Sequence, residues 1–436
     1  METEFTQKKR LVLDVTFLFD QYAFRGIGRY GKEMFGRIIQ KIYRKQLGEW
    51  EVHLIGFNEL EENLAQLHSG LEADSLMKVA PLVHFHSLGR PKLSSPASNL
   101  LIYKRRIKPL VQEIKPDAYW AVHFDRGVPS DLCPTIVTVH DAIPLVTGNF
   151  SSKGPVINYL KGLFYKAMWN KVRQASLILT SSEFSRHDLI NYGDIDPHKV
   201  KVAYLGISDV FKRKEIPTHT KQHIELLNKY DIQTIIRAGQ AEIAPYLFYD
   251  GGLEQNKNWL KLLQIFSKLA SHIPELKLIV TGGDFRYDPQ SKTSSAANER
   301  AQTMVDLAAE LGVLEKIIPT GKLTDVEMSI LLSQAAAYIN LSSYEGFGFG
   351  PVQAMAAEVP AVVANLSCFP EIVGDAAVLV DPEDILGSTA KVLELITSQT
   401  LRQELIQKGQ ERVKLYEWDN CFQHSWELVT EIIHGK

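Results

Sequence analysis

Short apolar runs rich in β-branched residues alternate with longer amphipathic stretches along this chain, and the alternation runs twice. Parallel sheets covered by helices are built from such alternation, whereas sandwiches lack the helical stretches and bundles lack the strands. An α/β fold is expected. Strands are read at 11–15, 52–57, 118–122, 135–139 and 177–180, then at 276–281, 337–341, 361–364 and 377–380, with helices such as 259–270 and 301–311 between them. At 436 residues the chain exceeds what one hydrophobic core usually organises, so the two series read as two domains. The polar stretch 211–233, with Lys212, Arg213, Lys214, Glu215 and Pro217, separates them. The expected division is 1–212, a linker at 213–233, 234–416, and a last helix within 417–436. A second polar insertion, 284–298, reads as a mobile surface loop.

Composition narrows the class. With 45% hydrophobic and 23% charged residues the chain matches a soluble globular protein, and no stretch nears the roughly 18 apolar residues of a membrane span. The apolar segment 11–19 carries Asp14 and no small-residue cleavage pattern follows it, so it reads as a first strand rather than a secretion signal. Cys133, Cys368 and Cys421 are odd in number and far apart, which fits neither a disulfide framework nor a zinc spacing. A reducing cytosol is the expected compartment. Residues 1–210 hold 27 Lys and Arg against 22 Asp and Glu, and the remainder 21 against 29, so the first half is the basic one. Lys104, Arg105, Arg106 and Lys108, beside Leu100, Leu101, Ile102 and Tyr103, read first as a solvated helix face. The other reading is a weak peripheral contact with an anionic membrane. No nucleic-acid partner is expected.

Ligands of open parallel sheets bind beyond the carboxyl ends of the strands, and several chemistry-bearing segments stand there. Gly26-Ile27-Gly28-Arg29-Tyr30-Gly31 satisfies the dinucleotide fingerprint formally, yet about ten residues separate it from its strand, and Glu33 stands where a P-loop needs Ser or Thr. What survives is a glycine loop opening a helix, either a phosphate or sugar contact or a plain turn. His140 and Asp141 end the run Thr135–Val139; the imidazole suits sugar hydroxyls, or is satisfied by a loop carbonyl with Asp141 in a turn. Gly251 and Gly252, then Lys257 and Asn258 ahead of a helix near Trp259, bring a glycine turn, an ammonium and a helix N-terminus together as an anion site, or mark a helix start capped by Asn258. The richest stretch is Tyr344-Glu345-Gly346-Phe347-Gly348-Phe349-Gly350-Pro351-Val352-Gln353. There a carboxylate leads into three alternating glycines and a proline placed for a first helical turn.

That stretch, with Ala354-Met355-Ala356, Pro360, Pro370-Glu371-Ile372-Val373-Gly374-Asp375 and Val380-Asp381-Pro382, resembles the donor-site block of family 4 retaining glycosyltransferases. The segments at Gly26–Tyr30, Thr138–Leu145, Ser182–Leu189, Gly251–Gly252 and Lys257–Asn258 follow in that family's order. The resemblance implies a GT-B architecture of two Rossmann-like domains whose parallel sheets face a central cleft, with the last helix crossing back to the N-terminal domain. It implies a nucleotide-sugar donor as substrate, a saccharide or lipid-linked acceptor, no cofactor and no required metal. By resemblance His140 and Glu345 are the catalytic pair. Gly28, Gly252, Lys257, Asn258, Gly282, Leu323, Gly346, Phe347, Gly348, Phe349, Gly350 and Gln353 contact the donor. The chain departs from the pattern twice, with Gln353 where the family has a second glutamate and Asn256 where it has a basic partner for Lys257. The motifs most resemble mannosyltransferases of surface polysaccharide synthesis, so GDP-mannose is the first expected donor, with UDP-glucose next. Two other classes remain: a catalytically weak sugar-nucleotide scaffold of the same fold, and a nicotinamide-dependent oxidoreductase, which the glycine spacing disfavours.

Overall fold

The computed structural model describes residues 8–19, 26–57, 67, 78–89, 96–125, 127–147, 155–216, 220–232, 234–237, 240–282 and 296–435. The chain divides into two compact units, one of residues 1–205 with 418–436, the other of residues 206–417.

The first unit holds β1 (Lys9–Asp14), β2 (Trp50–Gly56), β3 (His84–Ser87), β4 (Ala118–Ala121), β5 (Thr135–Thr138), β6 (Leu177–Thr180) and β7 (Val200–Val202). These form one parallel sheet in the order β3-β2-β1-β4-β5-β6-β7. The central strands are nearly all apolar because both faces are covered: Leu11, Val12, Leu13, Ile136 and Val137 are fully buried. Each such side chain contributes about 1.5–3 kcal/mol of burial, an upper bound because the unfolded chain already hides some surface. The helix Trp418–His434 belongs to this unit. Its Asp419 accepts from Arg37 Nε at 2.9 Å, and the Trp426 ring meets Trp50 edge-on at 5.4 Å.

The second unit holds a two-stranded antiparallel pair, β8 (Thr234–Arg237) and β9 (Gln240–Ile243), and then β10 (Tyr246–Asp250), β11 (Lys277–Thr281), β12 (Ile317–Gly321), β13 (Ala337–Asn340), β14 (Ala361–Ala364) and β15 (Ala377–Val380). The last six form a parallel sheet in the order β12-β11-β10-β13-β14-β15. Leu262, Phe266 and Leu269, spaced to share one face of the helix Trp259–His272, pack with Leu247, Leu278 and Ile339 in its core.

Both sheets reverse strand order beside the first strand of their series, between β1 and β4 and between β10 and β13. This is the doubly wound arrangement, and each reversal opens a crevice at the carboxyl ends. The stretch 213–233, expected as linker, lies in the second unit and carries the helix Lys221–Lys229, capped by Thr220. Amphipathic spacing at His223 and Leu226, both buried, overrides the polar composition. Within the expected loop 284–298, residues 284–295 and the neighbouring Gly283 lie outside the described residues, while 296–298 begin the helix Ala296–Glu310. No described helix is long and apolar enough to cross a membrane.

Candidate active site

In the second unit the strand reversal brings the ends of β10 and β13 together, and the two richest sequence motifs meet there. Gly251 and Gly252 leave β10, a short turn Gln255–Lys257 follows, and the helix Trp259–His272 begins. From β13 the chain passes through Ser342–Gly348 into the helix Phe349–Ala356. Lys257 Nζ reaches Glu345 Oε1 at 2.6 Å, with only 20% and 17% of the two side chains exposed. Burial works against the Lys257 ammonium, but the carboxylates of Glu345, Glu254 and Asp250 outweigh it, so its pKa rises above the ordinary lysine value.

Around this pair the loop is strapped down. The Asn256 carbonyl accepts from Ser343 N–H at 2.7 Å, and Asn256 Nδ2 donates to the Tyr344 carbonyl at 3.0 Å. Asn258 stands at the N-cap position in the left-handed region, φ 50°, but does not cap with its side chain. Its Nδ2 donates instead to the Leu341 carbonyl at 2.8 Å, which ties the helix start to β13 rather than to its own first turn. Glu345 N–H donates to Ser367 Oγ at 3.2 Å.

Beneath the glycine loop lies a polar network that the sequence reading missed. The Tyr338 hydroxyl donates to Asp250, Asn340 Nδ2 donates to the Tyr338 oxygen at 3.1 Å, and Asn340 Oδ1 accepts from Ser342 Oγ at 2.6 Å and Ser342 N–H at 2.9 Å. Burial drives the Asp250 carboxyl pKa upward even though Tyr338 and Lys257 pull it back. A Cβ on Gly350 would overlap the Tyr338 hydroxyl and the Asp250 carboxylate, so only glycine lets the helix start sit this close. Gly348 takes φ 76°, and a Cβ there would strike the Phe369 ring. The available signal was Asn340 itself, a polar residue inside a strand buried at every position.

The other expected donor contacts distribute as follows. Gly252 is at the β10 crevice, Gly282 follows β11, and Leu323 follows β12, so all three stand at carboxyl ends of this sheet. Gly346 belongs to the loop. Phe349 opens the helix. Phe347 differs, since its ring is buried edge-on against Phe349 and Tyr416, which makes it a core side chain rather than a ligand-facing one. Gln353 is 2% exposed, and its buried Oε1 accepts from none of the described residues.

His140 and Gly28 stand in the first unit. The His140 carbonyl accepts from Ser181 Oγ at 2.9 Å and Ser185 Oγ at 3.0 Å, and its ring meets Tyr30 edge-on with centroids 5.0 Å apart. Three separate sequence motifs thus meet at His140, two of them through its backbone carbonyl or chain position and one at its ring. Both of its ring nitrogens are buried without a partner among the described residues, and burial lowers its pKa to about 4. It is a neutral imidazole at neutral pH. Asp141 accepts from Ile143 N–H at 3.0 Å in a turn. The glycine motif is no loop: the helix runs Gly26–Tyr43, so Gly28 is a buried first-turn residue. Gly31, one turn on, is glycine because a Cβ would overlap the Phe17 ring. At this sheet's own reversal point stands Asp14, which the sequence marked only as a charge within the first strand. It accepts from Thr16 Oγ1 and the Tyr119 hydroxyl, each at 2.6 Å.

The sequence does carry one Asp-x-Asp, Asp194-Ile195-Asp196, which precedes β7 at the amino end of the first sheet. Asp194 pairs with Arg173, and Asp196 caps the turn at His198 N–H, 2.9 Å away. These carboxylates serve local structure. Among the described residues no group of three or more His, Cys, Asp or Glu side chains is placed to hold a metal ion.

Residues 232–412 match the family described as glycosyl transferases group 1, and this span includes both motifs of the second unit's crevice. The second unit thus carries a glycosyl transferases group 1 domain, and the chain is a glycosyltransferase. Over 321 residues it is 25% identical to O-antigen chain mannosyltransferase B of Escherichia coli, covering 74% of this chain and 76% of that protein. It is 22% identical to the serotype-specific mannosyltransferase WbdA of Escherichia coli across 98% of this glycosyltransferase, which spans 48% of WbdA's length. Among solved structures, a glycosyltransferase from Rickettsia africae shares the fold with a TM-score of 0.67 at 16% identity, covering 98% of this chain and all of that one. The two doubly wound units are those of the GT-B fold.

Proposed function

We propose that this glycosyltransferase moves mannose from GDP-mannose to a saccharide or lipid-linked acceptor in surface polysaccharide synthesis, with retention at the anomeric carbon and without a metal ion. The observation that carries the proposal is the Lys257–Glu345 pair at 2.6 Å, set at a strand-reversal crevice beside the start of the helix Phe349–Ala356. An ammonium and the N–H groups of a helix start suit a diphosphate, and they stabilise the charge that develops on it as the glycosidic bond breaks. The Glu345 carboxylate can accept from hydroxyls of the sugar, and the orphaned Gln353 Oε1 can accept from a ribose hydroxyl. His140, neutral and with both nitrogens unsatisfied, fits a hydrogen-bonding contact to a sugar hydroxyl rather than a cationic role. Mannose as the sugar rests on the mannosyltransferases among the relatives.

A second reading is a weakly catalytic binding protein of the same fold, favoured by Asn256, whose amide is spent on the loop and offers the diphosphate no charge. Transfer of labelled mannose to a mannose-terminated oligosaccharide, run in EDTA, separates the two. Incorporation that persists in EDTA and gives an α-linkage from the α-linked donor is the expected result. Loss of transfer restored by magnesium or manganese, or a β-linked product, overturns the mechanism. Incorporation from no nucleotide sugar, with the protein folded, favours the second reading.

A further inference from the structure

In the second unit's crevice the charges are arranged against the ligand it is built to hold. Lys257 stands in contact with Glu345, and the carboxylates of Glu254 and Asp250 also act on its ammonium. One cation thus faces three carboxyl groups, and the neighbouring Asn256 adds no charge. A nucleoside diphosphate brings at least two more negative charges, so it competes with Glu345 for the same ammonium.

What can yield is narrowly defined. The backbone around Glu345 is held from both sides. Asn258 reaches Leu341, Asn256 bonds Ser343 and Tyr344, and Ser367 receives the Glu345 N–H. These four bonds leave the loop path fixed while the Glu345 side chain is free to change rotamer. Among the described residues its carboxylate hydrogen-bonds to the Lys257 ammonium alone.

We infer that Lys257 and Glu345 form an exchange latch, in which the diphosphate takes the ammonium and thereby releases the Glu345 carboxylate to the hydroxyls of the sugar. This deepens the proposed function and rests on it. The ion pair keeps the carboxylate in place when the crevice is empty, and the arriving diphosphate turns the same group toward the sugar. The nucleotide without its sugar carries the whole cost of breaking the pair. A donor with its sugar recovers part of that cost through the released carboxylate. Asn256 and Asn258 act as positioning residues, since they hold the backbone that makes the exchange a side-chain movement.

The test is calorimetric titration of GDP, UDP and GDP-mannose into the wild type and Glu345→Gln, which keeps the side-chain volume and removes the charge. Glu345→Gln is expected to bind the preferred nucleoside diphosphate about five- to tenfold more tightly while losing turnover. The preference for the sugar-bearing donor over the bare diphosphate is expected to shrink in the same variant, a change that a purely structural role would not produce. Glu345→Asp, which withdraws the charge by one methylene, is expected to fall between the two and serves if the glutamine variant does not fold. Equal or weaker diphosphate binding in both variants overturns the latch and leaves the donor-site reading standing. Absence of binding by GDP and UDP in the wild type overturns the donor-site reading itself.

Discussion

Glu345 and Gln353 stand eight positions apart, on the loop and on the helix it opens, and their surroundings give them different work. Glu345 is partly exposed and held by one ammonium, whereas Gln353 is buried with an unsatisfied oxygen. Glu345→Ala is therefore expected to cut turnover strongly. Gln353→Glu would place an ionised acceptor where a neutral one now stands, and charged hydrogen bonds are about twice as strong. Nucleotide affinity is expected to rise by roughly fivefold, about 1 kcal/mol, in calorimetric titration. Weaker binding would mean that the Gln353 amide donates to the nucleotide. His140 supplies the pH dependence at this scale. Its folded pKa of about 4 lies below the unfolded value near 6.5, so the unfolded chain takes up the proton first. Its contribution to stability is fully present above pH 6.5 and is lost as pH falls through 4, roughly 3 kcal/mol in all. Melting curves of His140→Gln should be flatter than wild type between those values, and an equal slope would contradict the buried neutral ring.

At the scale of elements, the helix Phe349–Ala356 is placed by what it lacks. Gly350→Ala would drive a methyl into the Tyr338 hydroxyl and Asp250, and overpacking of this kind costs about 1–3 kcal/mol. Tyr338→Phe removes the hydroxyl, so the double variant should recover part of the loss; strict additivity in denaturant melts would contradict the close approach. The basic segment of the first unit forms a π-helical turn, Tyr103–Ile107, which leaves Lys104, Arg105 and Arg106 exposed beside a half-exposed Leu101. Anionic vesicles should bind it weakly and release it at about 0.15 M salt, where screening is strong. Binding that survives high salt would reveal an apolar anchor. Interior strands with apolar runs were legible in the sequence: β1, β2, β4, β5, β6, β11, β13 and β14 fall where such runs were read, as does the apolar edge strand β15. The edge strands β3, β7 and β12 escaped because one neighbour suffices there and polar residues or Pro319 are tolerated. The central strand β10 escaped because a five-residue run of Tyr, Leu, Phe, Tyr and Asp has no period to distinguish it from a buried helix turn.

For the molecule as a whole, the parallel α/β class of each sheet follows from alternation, but the strand order, and with it which carboxyl ends become neighbours, does not. The sequence places Lys257 and Glu345 in separate motifs 88 residues apart, and only the reversal between β10 and β13 puts them in contact. Asp250 and Tyr338 stayed invisible for the same reason, each unremarkable until the sheet assembles them around Asn340. The central claim is that this crevice holds a nucleotide sugar. It is tested most directly by thermal melting with GDP-mannose, UDP-glucose and NAD, in the wild type and in Lys257→Met. A nucleotide sugar at about 100 times its dissociation constant should stabilise the wild type by about 2.7 kcal/mol, and the shift should largely vanish in Lys257→Met while NAD gives none in either. A shift with NAD alone, or a nucleotide-sugar shift that Lys257→Met leaves intact, would contradict the account.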